Sequence, residues 1–449
     1  MLNKNQEIQL TITDLSYEGM GVAHTEEGMT LFVDNALPGE VVIAKIMKLK
    51  KGFGFAKTMS IETKSPERVE MVSNKWAQTG IAPLAHLTYD KQLEFKTKQV
   101  KTLVEKNKLD VDVLDTIASP NELAYRNKAQ IPARQVNGQL EVGFFRKRSH
   151  DLVEMEDFLI QDTKIDNTIK GVRDILRRYD IAGYDEKNHR GQVKNVIVRR
   201  GYFTGEIMVI LVCLDKKFKY LQKIADEIEQ LEEVKSVYLN HNPQKTNVIM
   251  GKKNRLLAGN SYITDKIGDQ TFMISPQSFF QINSSQTPTL YQKAVEMAQL
   301  NEDDEVLDTY SGIGTIGLSV AKKVKSVTGV EVVKSAVDDA KNNATLNHIT
   351  NSEFFLGKSE EYMNHWAEEG KKATVVIADP PRKGVTSEFI QSTAKIAPRK
   401  VIYISCNPAT LMRDIKEFEE YGYTTKTIQP VDMFPMTQHV ECVTVLEKN

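Results

Sequence analysis

Three cysteines, Cys213, Cys406 and Cys442, are the strongest nucleophiles in the chain, and one stands where chemistry is expected. Cys406 follows the apolar run Lys400 to Ser405 and precedes Asn407-Pro408 and a helical stretch from about Ala409. A strand tip of this kind opens onto the crevice of a parallel sheet, and the amide dipoles of a helix N-terminus favour a thiolate. Cys213 and Cys442 lie inside apolar runs and read as small core residues, the commoner fate of a lone cysteine. Glu441, in His439-Val440-Glu441-Cys442-Val443-Thr444-Val445, shares a strand face with Val443 and Val445. Either that strand is an exposed edge or Glu441 is a general base in a closed site. A thiol and an acid at one crevice suit a definite reaction. Carbon 5 of uracil is a poor nucleophile until a thiolate adds to carbon 6. The enolate so formed attacks a sulfonium methyl, and a carboxylate then removes the surplus proton from carbon 5 so that the cysteine is eliminated.

A second constellation lies upstream. The apolar run Glu305 to Tyr310 enters Ser311-Gly312-Ile313-Gly314-Thr315-Ile316-Gly317, a G-x-G-x-x-G loop that turns tightly and lets backbone approach a ligand. Glu331 ends the next strand, 19 residues after Gly312, where a carboxylate accepts both hydroxyls of a ribose. Dinucleotides and S-adenosylmethionine both satisfy that pattern. The next strand ends in Asp379-Pro380-Pro381-Arg382-Lys383-Gly384, a stiff turn with one acid at its tip. Methyltransferases acting on exocyclic amines carry an aromatic after the prolines, and Arg382 in its place argues for carbon or another atom as target.

The elements that must carry these groups divide the 449 residues into three expected units. Residues 1–60 alternate apolar and polar positions between turns, as in a small antiparallel barrel. Its last strands hold Lys50, Lys51, Phe53 and Phe55 in a stretch free of acids. Residues 61–270 read as an α+β domain, with a polar helix from about Tyr89 to Lys108 that packs on the third unit. It bears Arg146 to Arg148 beside two phenylalanines and an acid-free run from Lys187 to Arg200. Residues 271–449 alternate helices with apolar strands, as in an open, largely parallel sheet. The basic runs are either solvated faces or a surface for nucleic acid.

Composition narrows the class. With 59 Lys and Arg against 60 Asp and Glu the net charge is -1, which says nothing of a partner, whereas segment by segment the chain is polarised. No apolar run reaches the roughly 20 residues that cross a bilayer, and the start lacks a signal-peptide core, so a cytoplasmic location is expected. Three scattered cysteines build no disulfide framework.

The motifs together resemble a known family, the RNA uracil-C5 methyltransferases that make 5-methyluridine. The segments Ser278 to Asn283, Leu307 to Thr315, Asp379 to Gly384, Tyr403 to Thr410 and Asp432 to Glu441 are similar to its signatures, in their usual order. The resemblance implies Cys406 as nucleophile and Glu441 as base, with Gln281, Tyr310, Gly312, Gly314, Thr315, Glu331 and Asp379 contacting S-adenosylmethionine. It implies a TRAM barrel of the OB type, a middle RNA-binding domain and a Rossmann-like methyltransferase domain. RNA contacts would then come from Lys50, Lys51, Phe53, Phe55, Arg126, Arg146, Arg148, His150, Arg190, Arg199 and Arg382. Relatives with an iron-sulfur cluster hold it through four cysteines. The comparable positions here are Ser73, Thr79, Ala82 and Phe158, so neither a cluster nor another metal is expected. Gly357-Lys358-Ser359 stands where relatives place an acid or Asn near the adenine. A barrel-bearing, cluster-free chain is similar to the Gram-positive enzymes of the RlmCD type, which implies a monomer acting on 23S ribosomal RNA rather than transfer RNA. The target uridine would have to leave its stack to meet the thiol.

Overall fold

The structure, a computed structural model, describes residues 2–71, 73–147 and 149–449. Arg148, expected at the RNA surface, lies outside the described residues.

The N-terminal unit is a six-stranded sheet whose inward positions alternate as the sequence does. Val42, Ala44 and Ile46 of the strand Val41–Lys50 are buried and meet Leu10, Leu31 and Val33 in its own small core. It is not wholly antiparallel: Thr30–Asp34 pairs in parallel with Phe53–Thr63. Alternation with a period of two marks buried faces but carries no strand direction. Buried Glu40 fastens the barrel to the chain that follows it. Its carboxylate accepts from Arg68 Nε at 2.5 Å and Nη2 at 2.9 Å, and from Leu37 N at 2.8 Å.

The middle unit is a seven-stranded sheet running from Leu152–Glu154 to Lys253–Gly259, with Lys128–Val136 and Val193–Arg200 at its centre. The helices Thr163–Arg178 and Leu221–Glu229 bury Ile169, Val172, Ile224 and Ile228 against it.

The C-terminal unit carries seven of the strands that position the chemistry: β1 (Glu305–Asp308), β2 (Ser326–Glu331), β3 (Ser352–Leu356), β4 (Val375–Ala378), β5 (Lys400–Ser405), β6 (Thr427–Val431) and β7 (Glu441–Lys448). They lie in the order β3-β2-β1-β4-β5-β7-β6, parallel from β3 to β5, with β7 antiparallel to both its neighbours. Strands β1, β4 and β5 are almost entirely buried because helices cover both faces.

One of the covering helices comes from far upstream. Tyr89–Asn107 lays Val100 and Val104 into the cluster that holds Leu307, Phe389 and Phe418. From the same helix Lys96 Nζ reaches Asp432 Oδ1 at 2.6 Å, both side chains being fully enclosed. Tyr89 Oη donates to Asp432 Oδ2 at 3.1 Å, and Lys96 also donates to the Phe434 carbonyl at 3.1 Å. This knot holds the loop that leads into Glu441. Removing one member of an enclosed ion pair strands the other, at a cost of about 3–5 kcal/mol. Lys96→Met should therefore lower unfolding free energy by that amount in urea titrations, and a loss below about 1 kcal/mol would show that the pair is not holding the loop.

Candidate active site

Cys406 and Glu441 are brought together by strand register. Strands β5 and β7 pair antiparallel, with Lys400 opposite Glu447 and Ser405 opposite Cys442. One further step sets Cys406 opposite Glu441, so thiol and carboxyl emerge side by side at the carboxyl end of β5. β7 is flanked on both sides, by β5 and β6, so Glu441 is no edge-strand residue: it is 3% exposed. Cys213 and Cys442 are fully buried, as core thiols should be.

Helix Pro408–Glu419 starts directly after Cys406. Asn407 caps it, its side chain accepting from Ala409 N at 3.2 Å while its Nδ2 donates to the Arg382 carbonyl at 2.9 Å. That bond ties the cysteine tip to the Asp379-Pro-Pro-Arg382 turn. The expected thiolate is not what results. Burial, then the charges of Glu441 and Asp379, push the Cys406 thiol up to about 11, and Arg382 pulls the other way less strongly. The helix N-terminus is outweighed first by burial and then by the two acids that share the pocket.

Those acids are themselves displaced. Burial and the neighbouring Asp379 carry Glu441 well above the usual carboxylate range, against a smaller opposing effect of Arg382. Burial and Asp308 raise Asp379 to about 7. Asp308, also raised to about 7 by burial, accepts from Gly317 N at 3.0 Å through Oδ2, while Oδ1 is buried with no partner among the described residues. A Cβ on Gly317 would come within 2.9 Å of that carboxylate, so glycine is required there. The sequence reading passed over Asp308, although it stands in Leu307-Asp308-Thr309-Tyr310 where a strand tip meets the glycine loop.

Below about 11 the thiolate fraction grows about tenfold per unit of pH. Alkylation of Cys406 by iodoacetamide in enzyme without ligand should be slow at pH 7 and rise about tenfold per unit toward pH 10, as read by peptide mass spectrometry. A rate already at plateau at pH 8 would contradict the carboxylate environment.

The remaining crevice residues line up along β1, β2 and β4. Gly312 N donates to Glu331 Oε2 at 3.1 Å, and Val333 N donates to Oε1 at 2.8 Å, leaving a lone pair on each oxygen for a diol. No neighbouring atom lies within 4 Å of where a Gly312 side chain would begin, and Gly314 turns at φ +85°. Thr315 Oγ1 sits 3.0 Å from Tyr291 Oη, Gln281 is buried beside that tyrosine, and Tyr310 stacks on Phe389 at 5.6 Å. Phe279 and Val332 leave large apolar surfaces open, 62% and 63% exposed. An open backbone loop, a free diol acceptor, apolar faces and an orphaned buried carboxylate oxygen fit S-adenosylmethionine. Ser359 does not replace the missing acid or Asn: its hydroxyl is buried and donates to the Thr309 carbonyl.

The basic residues divide. In the barrel Lys50 lies over Phe53 at 5.4 Å, and Phe32, Phe53 and Phe55 form one aromatic group beside exposed Lys51. Arg126 is near enough to His439 that, with burial, Arg382 and Lys96, it helps drive that imidazole down to about 4. Arg146 and His150 are exposed, the latter 3.2 Å from Glu186, and Arg190 is exposed 3.3 Å from Asp185. Arg199 corrects the sequence reading. It is 4% exposed, and its Nη1 donates to the carbonyls of Ser275, Pro276 and Ser278 at 3.0, 3.4 and 2.8 Å, bracing the loop that carries Gln281. Lys194 is buried and Arg200 is paired with Asp162 and Glu233, so much of the acid-free run from Lys187 is internal. Lys128, in the stretch Tyr125 to Lys128 that resembles the RNA-facing part of the family's middle domain, has no acidic partner among the described residues. Burial, Arg199 and Arg126 lower it to about 7.

At the positions where relatives ligate a cluster, Ser73 caps the helix Asn74–Thr79, Thr79 donates to the Lys75 carbonyl at 3.0 Å, and Ala82 and Phe158 are buried. Among the described residues no three metal-ligating side chains converge, and no helix is long and apolar enough to cross a membrane.

Comparison with known proteins places the chain among RNA methyltransferases. The profile of the tRNA (uracil-5-)-methyltransferase family matches residues 88–449, and that of the TRAM domain matches residues 2–59. An RNA methyltransferase of Lactobacillus johnsonii is 58% identical, covering 100% of this chain and 99% of its own. One from Streptococcus agalactiae is 50% identical, with 100% of both chains covered. Among solved structures, a tRNA (uracil-54, C5)-methyltransferase of Pyrococcus abyssi in complex with S-adenosyl-L-homocysteine superposes with a TM-score of 0.79 and 27% identity. That match covers 98% of this chain and 99% of the other.

Proposed function

The chain belongs to the tRNA (uracil-5-)-methyltransferase family and carries a TRAM domain, and from that premise we propose a chemical mechanism and a substrate for it. It is an S-adenosylmethionine-dependent uracil-C5 RNA methyltransferase. The opposed placement of Cys406 and Glu441 across β5 and β7 is the observation that carries the mechanism.

S-adenosylmethionine supplies an electrophilic methyl group and, as a sulfonium, a positive charge in a pocket of acids. Gln281, Tyr310, Gly312, Gly314, Thr315, Glu331 and Asp379 would hold it. With a uracil flipped into the crevice, the thiolate form of Cys406 adds through its sulfur to carbon 6, the carbon 5–carbon 6 π pair moves to make the enolate, and the later elimination returns the same thiolate. Carbon 5 then takes the methyl group. Glu441 accepts the carbon 5 proton, the double bond reforms and the sulfur–carbon 6 bond breaks, returning the cysteine. A high proton affinity suits this last step, since the base must take a proton from carbon. Arg382, tied by its carbonyl to Asn407, balances the negative charge around the thiol and faces the incoming nucleotide.

The proposed substrate is 23S ribosomal RNA, modified by a cytoplasmic monomer. Its support is the resemblance of a barrel-bearing chain without the four cysteines to ribosomal enzymes. The barrel alone does not decide this, because a transfer-RNA enzyme matches 98% of the chain, barrel included, and that match favours transfer RNA as the second reading. Nucleoside mass spectrometry of both RNAs from a deletion strain separates them. Loss of 5-methyluridine from 23S ribosomal RNA supports the first, and loss from transfer RNA alone overturns it.

A further inference from the structure

Between the barrel and the body of the protein lies a cleft of about 570 Å³ that the catalytic scheme does not use. The barrel contributes Met47, Phe55 and Lys57 to it, and the body contributes Met71, His86 and Lys147. Its volume lies in the range of pockets that enclose small organic ligands. Three observations bear on what enters it. First, His86 is 4% exposed and its Nε2 is buried without a hydrogen-bond partner among the described residues. Buried polar atoms are normally partnered, so an orphaned one in the wall of a cleft marks a place where a small rotation of the ring would offer a ligand a donor or acceptor. Burial and the charge of Arg68 hold that imidazole down to about 4, so at neutral pH it is a neutral donor and acceptor suited to the edge of a base rather than to a phosphate. Second, the rim carries two lysines, Lys57 and Lys147, beside two acids, Glu18 and Asp34. Lys57 is exposed, and Lys147 reaches across to Asp34 at 3.1 Å, a half-exposed pair that exchanges readily for a stronger anion. Third, the cleft is continuous with the catalytic loop. Gln438 forms part of its wall and stands three residues before Glu441, so their Cα atoms are at most about 11 Å apart.

Thr79 and Ala82 also line this cleft. Small side chains there leave open space beside the barrel. Apolar walls, one neutral polar anchor and a lysine rim are what an unstacked nucleotide requires: contact for the base, a hydrogen bond to its edge and cations for its phosphate.

We propose that this cleft is a second nucleotide pocket, which takes an unstacked base of the same RNA strand within a few positions of the target uridine while Lys57 and Lys147 hold its backbone phosphate. The proposal rests on RNA being the substrate and goes beyond the chemistry at Cys406. It explains how the barrel contributes to selecting one uridine, since two bases would have to leave the stack together at a fixed spacing.

The test uses full-length enzyme and an RNA fragment that it methylates, prepared with a single abasic nucleotide at each position within about six of the target. Affinity is read by fluorescence anisotropy without cofactor. In the wild type one abasic position besides the target should weaken binding about tenfold, the usual scale for losing one stacked base. Ala77→Trp, which fills the cleft, should weaken binding of intact RNA by about the same factor and abolish the sensitivity to that position. Lys57→Gln, an exposed substitution that leaves the fold intact, provides an independent arm with an expected loss of about fivefold and a shallower salt dependence. Unchanged affinity in both variants, or an abasic profile identical in the wild type and Ala77→Trp, overturns the proposal. Methylation of intact RNA by the wild type is scored alongside, so failure of the cleft and failure of the functional reading give different results.

Discussion

Cys406→Ala is expected to abolish methyl transfer and to leave RNA containing 5-fluorouridine untrapped. The thiol is the only group at the tip of β5 that can bond to carbon 6, and without that bond carbon 5 is not nucleophilic enough to take a methyl group. Loss of a covalent nucleophile costs roughly 10⁴-fold or more in rate, because binding and electrostatics are all that remain. Fluorine at carbon 5 cannot leave as a proton, so the wild type should stall with RNA attached and run as a larger species on denaturing gels. The variant should show neither that species nor tritium transfer from labelled S-adenosylmethionine. A trapped adduct in Cys406→Ala would remove the cysteine from the mechanism. The fold should survive the change, since Cys406 is half-buried at a strand tip and lies outside the principal apolar clusters.

Glu441→Gln has the opposite signature. The amide is isosteric but cannot accept the carbon 5 proton, so the first half of the reaction proceeds and the second stalls. Loss of a positioned general base costs about 10²- to 10⁴-fold. Unmodified RNA should therefore accumulate as a methylated, covalently bound complex, one methyl per enzyme, with release slowed by that factor. Formation of the adduct should not slow in step, because removing this carboxyl takes away the largest of the charge effects that add to burial in holding the Cys406 thiol up at about 11. Release of methylated RNA at the wild-type rate would make Glu441 a structural residue. Quenched-flow measurement of methyl transfer and of free product distinguishes the outcomes.

How far the sequence was legible depends on what separates the residues concerned. Cys406 and the glycine loop were readable because each occupies a strand-to-helix junction of a few residues, and local patterns encode such junctions well. Glu441 was readable as an oddity, a charge on an apolar face, but the register that sets it opposite Cys406 joins two strands that are not adjacent in the chain. Electrostatics were the weaker part. A helix N-terminus beside Cys406 is visible in sequence, whereas the burial of the thiol and its crowding by Glu441 and Asp379 are tertiary facts that reverse the expected direction of the pKa. Arg199 shows the same limit: within an acid-free run it looks like a phosphate contact, yet carbonyls from a loop more than 70 residues away enclose it. The Lys96 and Asp432 pair, separated by 336 residues, has no local signature. In the barrel, alternation located the strands but not the one parallel pairing.

The central claim is that a thiol at position 406 becomes joined to the target base while the methyl group moves. The most direct test is tandem mass spectrometry of the trapped complex formed by wild-type enzyme, S-adenosylmethionine and 5-fluorouridine RNA, after digestion by protease and nuclease. The predicted result is a single modified peptide, spanning Tyr403 to Thr410, that carries a methylated 5-fluorouridine nucleotide on Cys406. A nucleotide attached to any other residue, or methylated RNA recovered with no covalent enzyme adduct, would contradict the account.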